Sequence, residues 1–345
     1  MTHRFPIKEI ARQAGLGPAT VDRVLNKRAN VSPQSRARVE RAVAELEGQE
    51  ALLSARGRRL FFDFVIEAPT RFSREVKRAA DGVAPHLGSA VCRSRFILQE
   101  VMTDAETVTI LRRIRTRGSD GVCLKLRDTP KIRDEVNQLH KAGIPVVTLV
   151  TDLAGTARIA YAGLNNAGAG RTAAYLLSLT LPDATGPVLA TCSSELFLGE
   201  QAREAAFVSA LAERCPHLHV VSVAGGRGQD FETAKLITAA ADDLSGLRAV
   251  YSMGGGNRSI LRALADSGIK PEVFIAHDLD RDNVRLIQEG ALSFVMHHDL
   301  TVDLRHVFGA FLGHHGLATP TPEHHASDVQ VITPDNLPQQ ILTEP

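Results

Sequence analysis

An α/β body made of two doubly wound, parallel-sheet lobes, preceded by a small all-helical head, is the fold class this sequence predicts. Three observations carry that reading. The chain has 345 residues, 44% hydrophobic and 23% charged, enough apolar matter for two or three domain cores and too much for a disordered polymer. From Leu60 onward, apolar strand-like runs alternate with amphipathic helical stretches, the pattern of βαβ units around parallel sheets. Before Leu60 the apolar period is helical and the charge differs: residues 1–60 hold twelve Lys or Arg against six Asp or Glu, although the whole chain is only +1. A basic head on a mildly acidic body points to a polyanion as the partner of the head.

Composition also excludes function classes. No apolar run reaches the length of a membrane span, so a membrane partner is not expected. The opening MTHRFPIKEIARQAGLGPAT carries Lys8, Glu9 and Arg12 inside its apolar pattern, unlike a secretory signal, and a cytoplasmic location is expected. Cys92, Cys123, Cys192 and Cys215 are widely spaced with no CxxC pair, which predicts free thiols rather than a disulfide or zinc framework.

In the head, Ile7, Ile10, Ala11 and Ala14 recur at helical spacing and stop at Gly15, a residue suited to a left-handed helix exit. Gly17-Pro18 offers a second start, because Pro at the first helical position gives up no needed donor. Val21, Val24 and Leu25 form its buried stripe, leaving Pro18, Ala19, Asp22, Arg23 and Asn26 on the outer face. A third helix starts at Ser32-Pro33, with Val39, Ala42, Val43 and Leu46 as its apolar stripe. Two short helices around a glycine turn, followed by a third, make a helix-turn-helix.

The residues IKEIARQAG, ATV.RVLN and NVSP..R.RV..AV.EL span about forty positions without a gap, and they resemble the DNA-binding head of the lactose/galactose repressor family. The resemblance implies that Pro18, Ala19 and Arg23 face base edges in the major groove of a double-stranded operator, and that Thr20, Asn26 and Ser32 hold phosphates. Arg can donate two bonds to guanine, and hydroxyls and amides at helix starts can grip phosphate. Gly17 and Asp22 depart from the serines usual in that family. Asp22 either accepts from a cytosine amino group or sits away from the strand. The connector LEGQEALLSARGRR departs further, with Glu47 and Glu50 where DNA repels acid and Gly57 near the position of the usual minor-groove leucine. Leu52 or Leu53 takes over as the wedge, or the segment is a flexible basic linker without one. The head is thus expected at 1–47 and the hinge or linker at 48–59.

The body opens with the runs LFFDFVIEA, SRFILQEV, DGVCLKL and IPVVTLV, and continues with GPVLATC, LHVVSV, LRAVYSM, EVFIAHD and LSFVMHH. Between them lie amphipathic stretches such as ETVTILRRIRTRG, AGRTAAYLLSL and RSILRALADSG. So many strands suit two sheets with a cleft better than one. The order of IPVVTLV, YAGLNNAGAGRTAAYLL, Arg203 with Phe207, EVFIAHD and the strand ending at His298 resembles the periplasmic sugar-binding domain that the same repressor family carries behind its head. The resemblance implies an effector-binding and dimerisation domain over 60–340. Its first lobe covers about 60–162 plus 292–325, and its second about 163–291 plus 326–340.

Carried over singly, Arg203 and Asp278 match positions that bind ligand hydroxyls, and His298 stands where such domains often place Gln. Phe72 could stack on a sugar face, Asn257 follows GGG where a polar loop residue usually points into the cleft, and Asp152 is the weaker candidate after its strand. Charged groups and amides making paired hydrogen bonds suit a polyol. The alternative for Arg203 and Asp278 is an interlobe salt bridge.

Other motifs carry less. Gly254-Gly255-Gly256 lacks both GxGxxG spacing and a Walker lysine, so no nucleotide cofactor is expected. The pairs His297-His298, His314-His315 and His324-His325 lack metal-ligand spacing, and no metal is expected. No nucleophile elbow or acid–base pair can be located, so the chain is not expected to be an enzyme. What the resemblance implies is a DNA-binding transcriptional repressor, a homodimer, whose operator affinity is set by a small sugar or polyol between two lobes. The alternatives are a sugar-binding solute receptor or a sugar-processing enzyme with an appended DNA-binding module.

Overall fold

The computed structural model describes residues 4–28, 31–55, 58–88 and 90–338, with backbone alone at 49–55. The head comprises α1 (Ile7–Ala14), α2 (Pro18–Leu25) and α3 (Pro33–Ala55). Helix α1 ends at Gly15 in the left-handed conformation (φ 59°, ψ 38°), which a side chain would disfavour. Arg38 of α3 clamps that turn, donating Nε to the Ala14 carbonyl at 3.1 Å and Nη2 to that of Gly15 at 3.0 Å. Ile10, Ala11, Ala14, Val21, Val39, Ala42 and Leu46 form the core, with Val24 and Leu25 packed against its edge.

The connector differs from the expected linker at 48–59. Helix α3 runs unbroken to Ala55, so most of that segment is helical. Gly48 is the only helix-weakening residue on the way, and a single interior glycine costs about 1 kcal/mol, too little to end a helix by itself. Arg56 and Gly57 lie outside the described residues, as do the side chains of Leu52 and Leu53, the two candidate wedges.

The body continues with β1 (Arg59–Glu67), α4 (Thr70–Val83), β2 (Val91–Gln99), α5 (Asp104–Arg117), β3 (Gly121–Lys125), α6 (Pro130–Lys141), β4 (Val146–Leu149) and β5 (Ala160–Leu164). The second lobe is built from α7 (Asn166–Thr180), β6 (Gly186–Cys192), α8 (Leu198–Arg214), β7 (Leu218–Ala224), α9 (Asp230–Ala239), β8 (Ala249–Ser252), α10 (Asn257–Asp266), β9 (Val273–His277), α11 (Arg281–Gln288) and β10 (Phe294–His297). Then α12 (Leu300–His314) and β11 (His324–Ser327) return to the first lobe, and β12 (Gln330–Ile332) to the second. One sheet has the order β11-β5-β4-β3-β1-β2 and is parallel throughout, and the other has the order β12-β10-β9-β8-β6-β7 with β12 antiparallel. Apolar side chains fill both faces of each sheet, as buried parallel strands require.

Three chain crossings join the lobes, between β5 and α7, between β10 and α12, and between β11 and β12. The second lies later than the expected boundary at 292, because β10 pairs in register with β9 (Val295 opposite Ala276) and belongs to the second sheet. Helix α12 then packs in the first lobe, where Phe311 stacks on Phe62 with ring centroids 4.8 Å apart and Phe308 meets the same ring edge-on at 5.7 Å.

Candidate functional site

Two surfaces concentrate the residues singled out from the sequence. On the head, Pro18, Ala19, Arg23, Asn26 and Ser32 are exposed and Thr20 half-exposed, all but Ser32 lying along α2 or just after it. Pro18 starts α2 without loss of a hydrogen bond, since the first helical N–H has no partner in any case. Asp22 is turned to its own helix: it accepts from Asn26 Nδ2 at 2.8 Å and pairs with Arg28 at 3.0 Å. Of the two readings of Asp22, the one that keeps it off the strand fits this arrangement. Ser32 Oγ accepts from the Ser35 amide at 3.1 Å and so caps α3.

The second surface is a cavity of about 900 Å³ between the lobes. It lies at the carboxyl ends of the strands, where open α/β sheets place their ligands. Phe72, Arg203, Asp278 and His298 all line it. Arg203 is 4% exposed on α8 and donates Nε and Nη2 to Asn166 Oδ1 at 3.1 and 2.7 Å. Asp278 follows β9 with φ +63°, a strained conformation for a residue with a side chain. Its partner is His298, whose Nε2 stands 3.6 Å from Asp278 Oδ1 and whose Nδ1 donates to Asp303 at 2.7 Å. Burial opposes the charge on the His298 ring, but the Asp278 and Asp303 carboxylates prevail and push its pKa up to about 9. Burial likewise opposes the Asp278 charge, and the His298 imidazolium holds that carboxyl below its usual range. The alternative, an interlobe salt bridge between Arg203 and Asp278, is not formed, since both belong to the second lobe and each has its own partner.

Two sequence candidates lie elsewhere. Asp152 does not line the cavity; Arg158 grips it through Nε at 2.6 Å and Nη2 at 2.8 Å, and Thr148 donates to it at 2.7 Å. It closes the turn after β4, one or two residues beyond where that strand meets the cavity at Val150 and Thr151. Asn257 is buried and donates Nδ2 to Asn283 Oδ1 at 2.7 Å, while Asn283 Nδ2 donates to the carbonyls of His277 and Asp278 at 2.9 and 2.7 Å. Asn257 thus supports the strained Asp278 turn from behind. The glycine run before it makes room: a Cβ on Gly254 would fall 2.2 Å from the Ser193 amide nitrogen, and one on Gly255 within 2.3 Å of Arg71. Among the described residues, no group of three or more metal-binding side chains forms.

The charged residues lining the cavity that the sequence did not reveal include Glu67, Arg71, Lys125 and Glu200. Glu67 ends β1 and accepts from Arg127 Nε at 3.0 Å on both oxygens. Lys125 ends β3, is 8% exposed and donates to the Glu67 carbonyl at 3.1 Å. Arg71 crosses the cleft to the Gly228 carbonyl at 3.0 Å and to Asp280 at 3.2 Å. Glu200, in the first turn of α8, accepts from the Ser193 amide and hydroxyl, both at 2.6 Å. A charge closing an otherwise apolar strand, as in LFFDFVIEA and DGVCLKL, was the available signal for Glu67 and Lys125.

One turn of α7 holds Arg203 twice. Asn166 binds its guanidinium, and at Gly170 the α8 backbone comes so close that a Cβ would fall 2.1 Å from the Arg203 carbonyl oxygen.

Residues 6–47 match the model of the lacI family of bacterial regulatory proteins, and residues 72–300, more than half of the chain, match a periplasmic binding protein domain. The chain joins a lacI-family DNA-binding head to a periplasmic binding protein domain. Its body has solved relatives in fold at low identity. The glucose-galactose binding protein of Geobacillus stearothermophilus is 18% identical with a TM-score of 0.72, covering 81% of this chain and 99% of that one. A solute binding protein of an ABC transporter from Burkholderia graminis, in complex with D-arabinose, is 17% identical with a TM-score of 0.73 over 81% and 97% of the two chains. A protein described as a LacI transcriptional regulator from Bacteroides fragilis is 14% identical with a TM-score of 0.70 over 81% and 98%. Among curated proteins none matches the chain. For a chain joining those two domains, the two surfaces correspond to the DNA-reading head and the ligand-binding body. No helix among the described residues is long and apolar enough to cross a membrane.

Proposed function

We propose that this DNA-binding regulator is a homodimeric repressor whose grip on a pseudo-palindromic operator is relaxed by a small sugar or polyol held in the interlobe cavity. One observation carries the reading. The same chain joins a helix-turn-helix head, its recognition residues exposed, to a body in which Arg203, Asp278 and His298 converge on an enclosed space. Arg23 supplies base readout and Thr20 and Asn26 phosphate contacts, with Asn26 exchanging its intrahelical bond to Asp22 for a phosphate oxygen.

In the body, Phe72 offers an apolar face to a sugar ring, and Arg203 and Asp278 offer charge-assisted bonds to neighbouring hydroxyls. A ligand there touches both lobes, and it favours whichever lobe arrangement fits it best. Residues at the three crossings absorb the change, and the spacing of the two heads follows. The solved relatives that bind sugars support the ligand class, and the head favours a regulator over a transport receptor.

A fluorescence-anisotropy titration of operator DNA with and without monosaccharides and polyols tests this, alongside sedimentation of the free protein. The expected result is a dimer whose operator affinity falls when one of these ligands is added. An operator affinity indifferent to every sugar and polyol would remove the reading, and turnover of an added sugar would replace it with the enzymatic alternative.

A further inference from the structure

Four of the cations around the cavity fall into two groups. Arg71 and Arg127 each have a carboxylate partner, Asp280 at 3.2 Å and Glu67 at 3.0 Å. Lys125 and Arg203 do not: among the described residues neither has a carboxylate within 4.0 Å, although both are more than nine-tenths buried. The Lys125 ammonium has one protein acceptor, the Glu67 carbonyl, and lies 4.1 Å from the centroid of the Phe197 ring and 5.6 Å from that of Phe72. Among the described residues, Arg203 has as acceptors the Asn166 amide oxygen and, at 3.5 Å, the Met253 carbonyl.

We infer that the effector is a small polyol bearing an acidic group, a carboxylate or a phosphate ester, seated against the Lys125 ammonium and the Arg203 guanidinium. This rests on the reading of the cavity as the effector site. A buried ammonium is stable when its donors and its charge are both matched, and here two of its three N–H donors have no protein acceptor. Burial lowers the Lys125 pKa; the Glu200, Glu67 and Asp278 carboxylates raise it without reaching the ammonium, and Arg203 lowers it, so the two cations repel each other across the cavity. An anion bound between them relieves that repulsion, whereas a hydroxyl supplies only lone pairs.

Glu200 does not complete the match. Both its oxygens are occupied by Ser193, so it acts on Lys125 through space and makes no contact with it, while burial raises its own pKa against the pull of Ser193, Lys125 and Arg203. Phe197 comes from the second lobe and Lys125 from the first, and the Asp128 amide donates to the Leu196 carbonyl at 2.8 Å beside them. An acid bound at Lys125 therefore engages the seam between the lobes, the place from which an effector can shift them.

Calorimetric titration of the full chain compares gluconate and glucose 6-phosphate with glucose and sorbitol. Gluconate or the phosphate ester is expected to bind about tenfold or more tightly than its neutral counterpart, and which of the two wins separates carboxylate from phosphate. Lys125→Gln is expected to bring the acid-to-neutral ratio close to one. Lys125→Met, isosteric and uncharged, serves if the glutamine variant melts early, and the wild-type ratio needs no variant at all. Equal binding of acids and neutral sugars, or an acid preference that survives loss of Lys125, overturns the inference and leaves the sugar-effector reading standing. Binding by none of the four probes overturns the inference, and the operator titration against the wider set of sugars and polyols then decides the sugar-effector reading.

Discussion

His298 and Asp303 form a fully buried ion pair, 2.7 Å from Nδ1 to carboxylate, across the crossing between β10 and α12. The same ring faces Asp278 in the second lobe, so a single imidazolium ties the ligand-facing carboxylate to the helix that returns to the first lobe. The effector site and one of the interlobe connections therefore share a proton.

That proton gives a pH dependence with a definite sign. The folded-state pKa of His298, about 9, lies above the 6.5 of an unfolded imidazole, so its contribution is complete below about pH 6.5 and is lost as pH rises through 9. The whole effect is worth about 3 kcal/mol at most. Melting temperatures from pH 6 to 10 should fall more steeply for the wild type than for His298→Gln. Parallel curves would show that the ring is neutral in the folded protein.

Arg203→Ala or Asp278→Ala should weaken effector binding by about tenfold to a hundredfold, the worth of one charge-assisted bond or somewhat more. Operator affinity without ligand should stay at the wild-type level, because neither residue belongs to the head. Calorimetry paired with an operator gel shift reads both halves, and unchanged ligand affinity in both variants would remove these residues from the site.

Arg23→Ala should cost about 1–3 kcal/mol on the cognate operator and less on random DNA, as expected for a side chain that reads a base edge. Thr20→Ala should weaken both DNAs alike. An equal loss on both DNAs for Arg23→Ala would make it a phosphate contact instead.

The unbroken course of α3 to Ala55 leads to a prediction about DNA shape. With the connector continuing a head helix in place of a separate hinge helix, the operator should bend little, and Leu52→Ala with Leu53→Ala should barely change affinity. A strong bend in a circular-permutation gel, abolished by those two substitutions, would show that a wedge is used.

The three helices of the head were legible because its helix starts, its glycine turn and its apolar stripes agree with one another. Nine strands were legible for a similar reason, whereas β5 (AYAGL) and β11 (HHAS) are poor in branched apolar residues and β12 (QVI) has only three residues. Lys125 and Glu67 escaped notice because a sequence does not say on which side of a strand end a charge emerges. Asp152 was misplaced by the turn after β4, where Val150 takes φ +65° and alters the path of the chain. The end of α3 was set too early because the change from LEG to QEALLSA resembles a linker in composition while keeping good helix formers.

The tight seam between α7 and α8 bears on where loss-of-response mutations will be found. Gly170 leaves no room for even one methyl group beside the Arg203 backbone, so Gly170→Ala has to move α8 and carry the guanidinium with it. A genetic screen for variants deaf to the effector should therefore recover Gly170 and Asn166 beside Arg203. Neither of the first two is among the residues lining the cavity. Deafness in this regulator is inherited through the spacing of two helices as much as through the groups that meet the ligand.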